Sequence, residues 1–217
     1  MQYIYLHGFA SSPRSFKARR FRAYFAPRGI EFWIPDLNEG DFSGLTLSRQ
    51  IATIEAKIGD RPTAIVGSSL GGLTAAILAE RNPNIERLVL LAPAFGFLGH
   101  WLPSLDAGKL ERWRQTGTTE IFHYGDNCDR ALSYEFVRDL ERYDSDRDGF
   151  LTRPVPTKIV HGIRDDVIPV EASRAYARDR DWVELVEFDS DHTLASHGHP
   201  TIVLSYEFLV GRTVEDS

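Results

Sequence analysis

The chain has 217 residues, 42% hydrophobic and 26% charged, which is ordinary for a globular protein and long enough for one α/β domain with a sizeable core. A net charge of −6 and a pI near 5.6 argue against a nucleic-acid partner, which normally needs a basic face. The single cysteine, Cys128, rules out an internal disulfide and suits a reducing compartment. No apolar run reaches the roughly 20 residues of a membrane span. The first strand begins beside Met1, without room for a signal peptide. The expectation is a soluble cytoplasmic protein acting on a small molecule, with an oligomeric state the sequence does not disclose.

Tyr3-Ile4-Tyr5-Leu6 reads as a strand, followed by the small-residue loop His7-Gly8-Phe9-Ala10-Ser11-Ser12-Pro13. The next helix takes Ser12 as cap and Pro13 as its first residue, with Ala18, Phe21 and Phe25 as its buried stripe. Glu31 to Pro35 is a second strand. Leu47, Ile51, Ile54 and Ile58 recur at helical spacing, which predicts an amphipathic helix over Thr46–Ile58. Thr63-Ala64-Ile65-Val66 is a third strand and runs into Gly67-Ser68-Ser69-Leu70-Gly71-Gly72, then into a helix-forming stretch from Leu73 to Ala79. Ile85 to Leu91 is a fourth strand. Between Ala94 and Arg153 the alternation breaks, and only two or three short helical patterns appear, without a convincing strand. It resumes with a strand at Thr157–His161, a helix over about Val170–Arg180, a strand at Val183–Phe188 and a last helix over about Pro200–Val210. Apolar strands alternating with helices predict a mostly parallel sheet of about six strands covered on both faces. The chain reads as one domain, 1–217, carrying a short helical insertion at 94–153.

Gly67-x-Ser69-x-Gly71 between a strand and a helix has the register of a nucleophile elbow. A serine on such a turn is strained, and its neighbours two residues away must lack bulk. Centring the turn on Ser68 would put Val66 and Leu70 where glycine is needed, so Ser69 is the candidate nucleophile. At the ends of later strands lie His161-Gly162-Ile163-Arg164-Asp165-Asp166-Val167-Ile168-Pro169 and Asp189-Ser190-Asp191-His192. His192 is placed to take the Ser69 proton and return it to the leaving group, with Asp165 or its neighbour Asp166 orienting the imidazole. Adjacent side chains in an extended loop point apart, so only one of the two can reach it. The N–H groups of Leu70 and Phe9 would bind a developing oxyanion.

These pieces, HGFASSP, GSSLGG, HGIRDDVIP and SDH, span nearly the whole chain, and in combination it resembles an α/β-hydrolase-fold serine esterase. It is similar to the small bacterial esterases with an HGF opening and to the acyl-protein thioesterase and acyl-glucuronide esterase branch. The resemblance implies a three-layer fold lacking the family's two N-terminal edge strands. It also implies the triad order Ser69, Asp165, His192, the oxyanion donors Phe9 and Leu70, and no cofactor.

The expected reaction is hydrolysis of a carboxylic ester or thioester through an acyl-enzyme on Ser69. The alternatives are a peptidase of the same fold, or a catalytically silent relative that binds a ligand. The insertion carries ten of the 25 aromatics and is expected to form a lid whose Phe97 and Trp101 line the acyl pocket. His7 and His161 read as structural. The cluster Asp189, Asp191, His192, His197 and His199 imitates a metal box, yet nothing elsewhere completes it and no metal is expected. Asp144 to Gly149 imitates the start of an EF-hand loop, but its twelfth position is Val155 and a polar turn is the expectation. The basic run from Arg14 to Arg28 reads as a solvated helix face, or as a lure for an anionic substrate.

Overall fold

The computed structural model describes residues 1–143 and 152–211; the EF-hand-like Asp144–Gly149 stretch lies outside them. In chain order come β1 (Gln2–Leu6), α1 (Phe16–Phe25), β2 (Phe32–Trp33), α2 (Leu47–Ile58), β3 (Thr63–Ser68), α3 (Leu70–Arg81) and β4 (Ile85–Leu91). The insertion then contributes α4 (Phe97–Ser104), α5 (Ala107–Thr116), β5 (Thr118–His123), β6 (Cys128–Ser133) and α6 (Glu135–Leu140). The chain finishes with β7 (Thr157–Gly162), α7 (Val170–Ala177), β8 (Val183–Phe188) and α8 (Gly198–Val210).

Six strands form a parallel sheet in the order β2-β1-β3-β4-β7-β8. Every residue of β3 is buried, as its unbroken apolar run requires of a strand covered on both faces. Alternate residues of the strands feed two cores. Ile4, Leu6, Ile65 and Leu88 pack with α2, α3 and the insertion, while Tyr5, Val66, Val89 and Leu91 pack with α1 and α8. The chain leaves β1 for β2 and returns to β3 on the other side of β1. That reversal opens a crevice beyond the C-terminal ends of β1 and β3. The β1 loop and the elbow meet there.

Two expectations need correction. The helix after β1 starts at Phe16, capped by Ser15, whose Oγ accepts from Ala18 N–H at 3.3 Å. Ser12 instead closes the preceding turn, accepting from Arg14 N–H on its Oγ and from Ser15 N–H on its carbonyl. The insertion is not purely helical, because β5 and β6 form an antiparallel hairpin pairing Thr118 with Ser133 and His123 with Cys128. Its inward residues Ile121, His123 and Leu132 are buried while most others face solvent. Ile121 and Leu132 are the only buried apolar residues of the two strands, and the exposed Phe122 beside Ile121 breaks the alternation that marks a strand. The turn residues Gly125-Asp126-Asn127 were the cue that could have found it. Among the described residues no helix is long and apolar enough to cross a membrane.

Candidate active site

Ser69 sits between β3 and α3 at φ 54° and ψ −120°, a region where a side chain costs on the order of 1–3 kcal/mol. The surroundings impose it. A Cβ on Gly67 would lie 2.7 Å from the Gly72 Cα, and one on Gly71 would lie 2.6 Å from the His7 carbonyl oxygen. Ser69 N–H donates to the Leu91 carbonyl at 2.9 Å, and its own carbonyl accepts from Gly72, Leu73 and Ala94. The backbone is fixed on both sides, which sets where the side chain leaves the turn. Ser68, in contrast, is buried with 4% exposure.

The hydroxyl points at His192: Ser69 Oγ lies 3.0 Å from Nε2. On the far side of the ring, Nδ1 lies 2.7 Å from Asp165 Oδ2. An ionised carboxylate can only accept, so Nδ1 carries the proton and Nε2 accepts from Ser69. Asp165 is reached by further donors. His161 Nε2 lies 3.0 Å from Oδ2, while Val167 and Ile168 N–H donate to Oδ1 at 2.9 and 2.8 Å. Burial alone would raise this carboxyl, but the bonds from His161, His192 and the Ile168 backbone override it and hold Asp165 well below the usual carboxylate range. Asp166 is exposed, and no hydrogen bond joins it to His192.

That His161 holds Asp165 goes beyond the structural role read for it from the residues alone. Its Nδ1 faces Ser173 Oγ at 2.7 Å and its Nε2 is shared with the Ile168 carbonyl at 3.0 Å, which fixes the ring beneath the carboxylate. The signal was the four-residue spacing from His161 to Asp165 across the strand end. His7 is buried under the loop it begins, with Nδ1 2.9 Å from the Gly8 carbonyl and Nε2 accepting from Leu37 N–H at 3.0 Å. That loop passes over Ser69, since a Cβ on Gly8 would lie 3.3 Å from the Ser69 Cβ. Among the described residues, the N–H groups of Phe9 and Leu70 donate to no acceptor.

The Phe9 ring stacks on Phe136 with centroids 4.9 Å apart and meets Trp101 edge-on at 5.1 Å. Phe97 stacks on Trp101 at 5.2 Å and is only 3% exposed, so it packs within this cluster. Trp101 is partly buried. His197 stacks on Phe188 and His199 lies edge-on to Tyr24, so neither joins His192. Among the described residues no group of three or more His, Cys, Asp or Glu is arranged to hold a metal.

Solved structures with the same fold include mouse alpha/beta hydrolase domain-containing protein 10, at TM-score 0.78 and 20% identity over 96% of this chain and 89% of that one. Est1E from Butyrivibrio proteoclasticus, solved with ferulic acid bound, matches at TM-score 0.77 and 22% identity, covering 96% and 88%. The monoacylglycerol lipase of Paleococcus ferrophilus matches at TM-score 0.71 and 17% identity, covering 98% and 95%. At these identities the likeness shows the fold, that of the α/β hydrolases. No curated protein sequence matches the chain. The model of the uncharacterised protein family UPF0227 matches residues 2–203, and the chain belongs to that family.

Proposed function

We propose that the protein is a serine hydrolase of carboxylic esters or thioesters. The observation that carries this reading is the hydrogen-bonded line from Ser69 through His192 to Asp165, beneath a loop whose Phe9 N–H is free. In the proposed cycle, Ser69 Oγ attacks the substrate carbonyl as its proton passes to His192 Nε2. Asp165 stabilises the imidazolium and keeps the proton on Nδ1. The N–H groups of Phe9 and Leu70 take the oxyanion, each worth about 3–4 kcal/mol in comparable sites. His192 then protonates the leaving alcohol or thiol, and water resolves the acyl-enzyme by the same steps reversed. Esterase and lipase names among proteins of this fold are consistent with that chemistry.

The test is covalent. A fluorophosphonate probe should add one adduct, mapped by peptide mass spectrometry to Ser69, and Ser69→Ala should abolish it while Ser68→Ala keeps it. An adduct on Ser68, or none on folded protein, would overturn the mechanism and favour a silent ligand-binding role. A panel of p-nitrophenyl esters and acyl thioesters then separates ester from thioester preference.

A further inference from the structure

Beside the loop that follows His192, on the sheet face opposite the Phe9 aromatic cluster, a small, open pocket lies between α1 and α8. Its floor is apolar, made by Phe21, Leu194 and Ile202, and its wall begins at Thr193, the residue after His192. Two cations line it, Lys17 and Arg20, both only partly exposed. Neither makes a hydrogen bond or an ion pair within 4.0 Å among the described residues. The carboxylates nearest Lys17 are already engaged. Asp191 accepts from the Thr193 hydroxyl at 2.6 Å and from its N–H at 3.0 Å, and Asp165 is held by four donors. Burial pulls Lys17 down to about 8, against the opposing pull of Asp165 and Asp191, as befits an ammonium lacking a close counter-ion. The Arg20 guanidinium lies over the Phe16 ring, 5.4 Å from its centroid, and against the start of α8, where a Cβ on Gly198 would come within 3.0 Å of Nη1. That first turn of α8 holds no acidic side chain and no side-chain cap. An arginine set against the positive end of a helix is unfavourable unless an anion joins them.

We propose that this pocket is a subsite for an anionic group, a carboxylate or phosphate, carried on the alcohol or thiol part of the substrate and held by Lys17 and Arg20. The assignment to the leaving-group side rests on the hydrolase reading: His192 returns its proton to the leaving oxygen or sulfur, and Thr193, the next residue in the chain, lines the pocket. The substrate class is thus an ester or thioester whose leaving group is acidic.

Titration calorimetry on the Ser69→Ala protein reads the subsite without turnover. 4-Hydroxybenzoate and phenyl phosphate should each bind at least about tenfold tighter than neutral methyl 4-hydroxybenzoate, the gain of one charge-assisted contact. The tighter anion identifies carboxylate or phosphate. Lys17→Met and Arg20→Met, which keep the apolar stems, should each remove most of that preference with circular dichroism unchanged. No anion preference, or one that survives both variants, overturns the proposal. With the wild type, kcat/KM for 4-acetoxybenzoate should exceed that for its methyl ester, and Lys17→Met should lower only the former. An equal loss for both esters would mean that Lys17 acts on Asp165, and would also overturn it. Anion binding retained without turnover of any ester would sink the hydrolase reading and uphold the anion site. Turnover without anion preference would do the reverse.

Discussion

Four donors converge on the Asp165 carboxylate, and each restrains it toward the single direction in which Oδ2 meets His192. The proposed chemistry therefore predicts unequal roles for adjacent carboxylates. Asp165→Asn should lower kcat by about 10⁴ near pH 7, the loss found when a triad acid can no longer hold the right tautomer. Exposed Asp166→Asn should leave kcat within about twofold, since surface substitutions away from such networks have small effects. Steady-state kinetics on the two variants checks both, and a large loss at Asp166 would shift the assignment by one residue. Acid unfolding tests the same group by a different route. The folded-state pKa of Asp165 is depressed, so its contribution to stability is complete above the unfolded value of about 4 and is lost as pH falls toward the folded value. Denaturant melts of wild type and Asp165→Asn should therefore differ most near pH 6 and converge toward pH 2. A gap that stays constant over that range would mean the carboxylate is not stabilised as the geometry implies.

At the scale of elements, the strand–turn–helix at Ser69 is held by backbone-to-backbone contact, which leaves glycine no substitute. Gly71→Ala would drive a methyl into the Leu6 and His7 carbonyls, neither of which can move without breaking the sheet. It should destabilise by about 3 kcal/mol or more and yield little folded protein. Gly99→Ala in α4 meets nothing within 4 Å and should be neutral or stabilising by up to about 1 kcal/mol. Thermal melts of the pair distinguish packing from propensity. The same elbow was legible in the sequence because sterics demand glycine at fixed offsets, and the parallel strands were legible because burial on both faces demands unbroken apolar runs. The start of α1 was not. Ser12 and Ser15 are both competent caps, and the choice depended on Ser12 being used up by its own turn. The β5–β6 hairpin was obscured because it packs one face only, and on that face uses His123 in place of an apolar residue. His161 reads only as structural in the sequence, which shows the spacing but not that the strand end turns Asp165 back over it.

For the whole molecule, the insertion between β4 and β7 is tied at several points to the β1 loop and to the segment leading into α2. Gly125 N–H reaches the Ala10 carbonyl at 3.4 Å, Ser133 N–H reaches the Ser43 carbonyl at 2.9 Å, and Asp139 accepts from Ser48 N–H at 2.8 Å. Its aromatic side chains cover Phe9, the residue whose N–H would receive the oxyanion. We propose that it forms a lid and that its aromatic wall receives the acyl chain, opposite the anionic subsite. Phe97 and Trp101 then differ as probes. Phe97 is buried, so Phe97→Ala should cost about 3–5 kcal/mol of stability before it reports on substrate. Trp101 is only partly buried and is the usable test. If its face is the acyl wall, kcat/KM on p-nitrophenyl esters should rise by up to about fourfold per added methylene over short chains, since each buried methylene contributes about 0.8 kcal/mol. Trp101→Ala should flatten that slope while leaving the acetate ester within a few-fold of wild type. A slope unchanged by the variant would place the acyl chain elsewhere, and a flat series in the wild type would leave the insertion a packing element over Phe9.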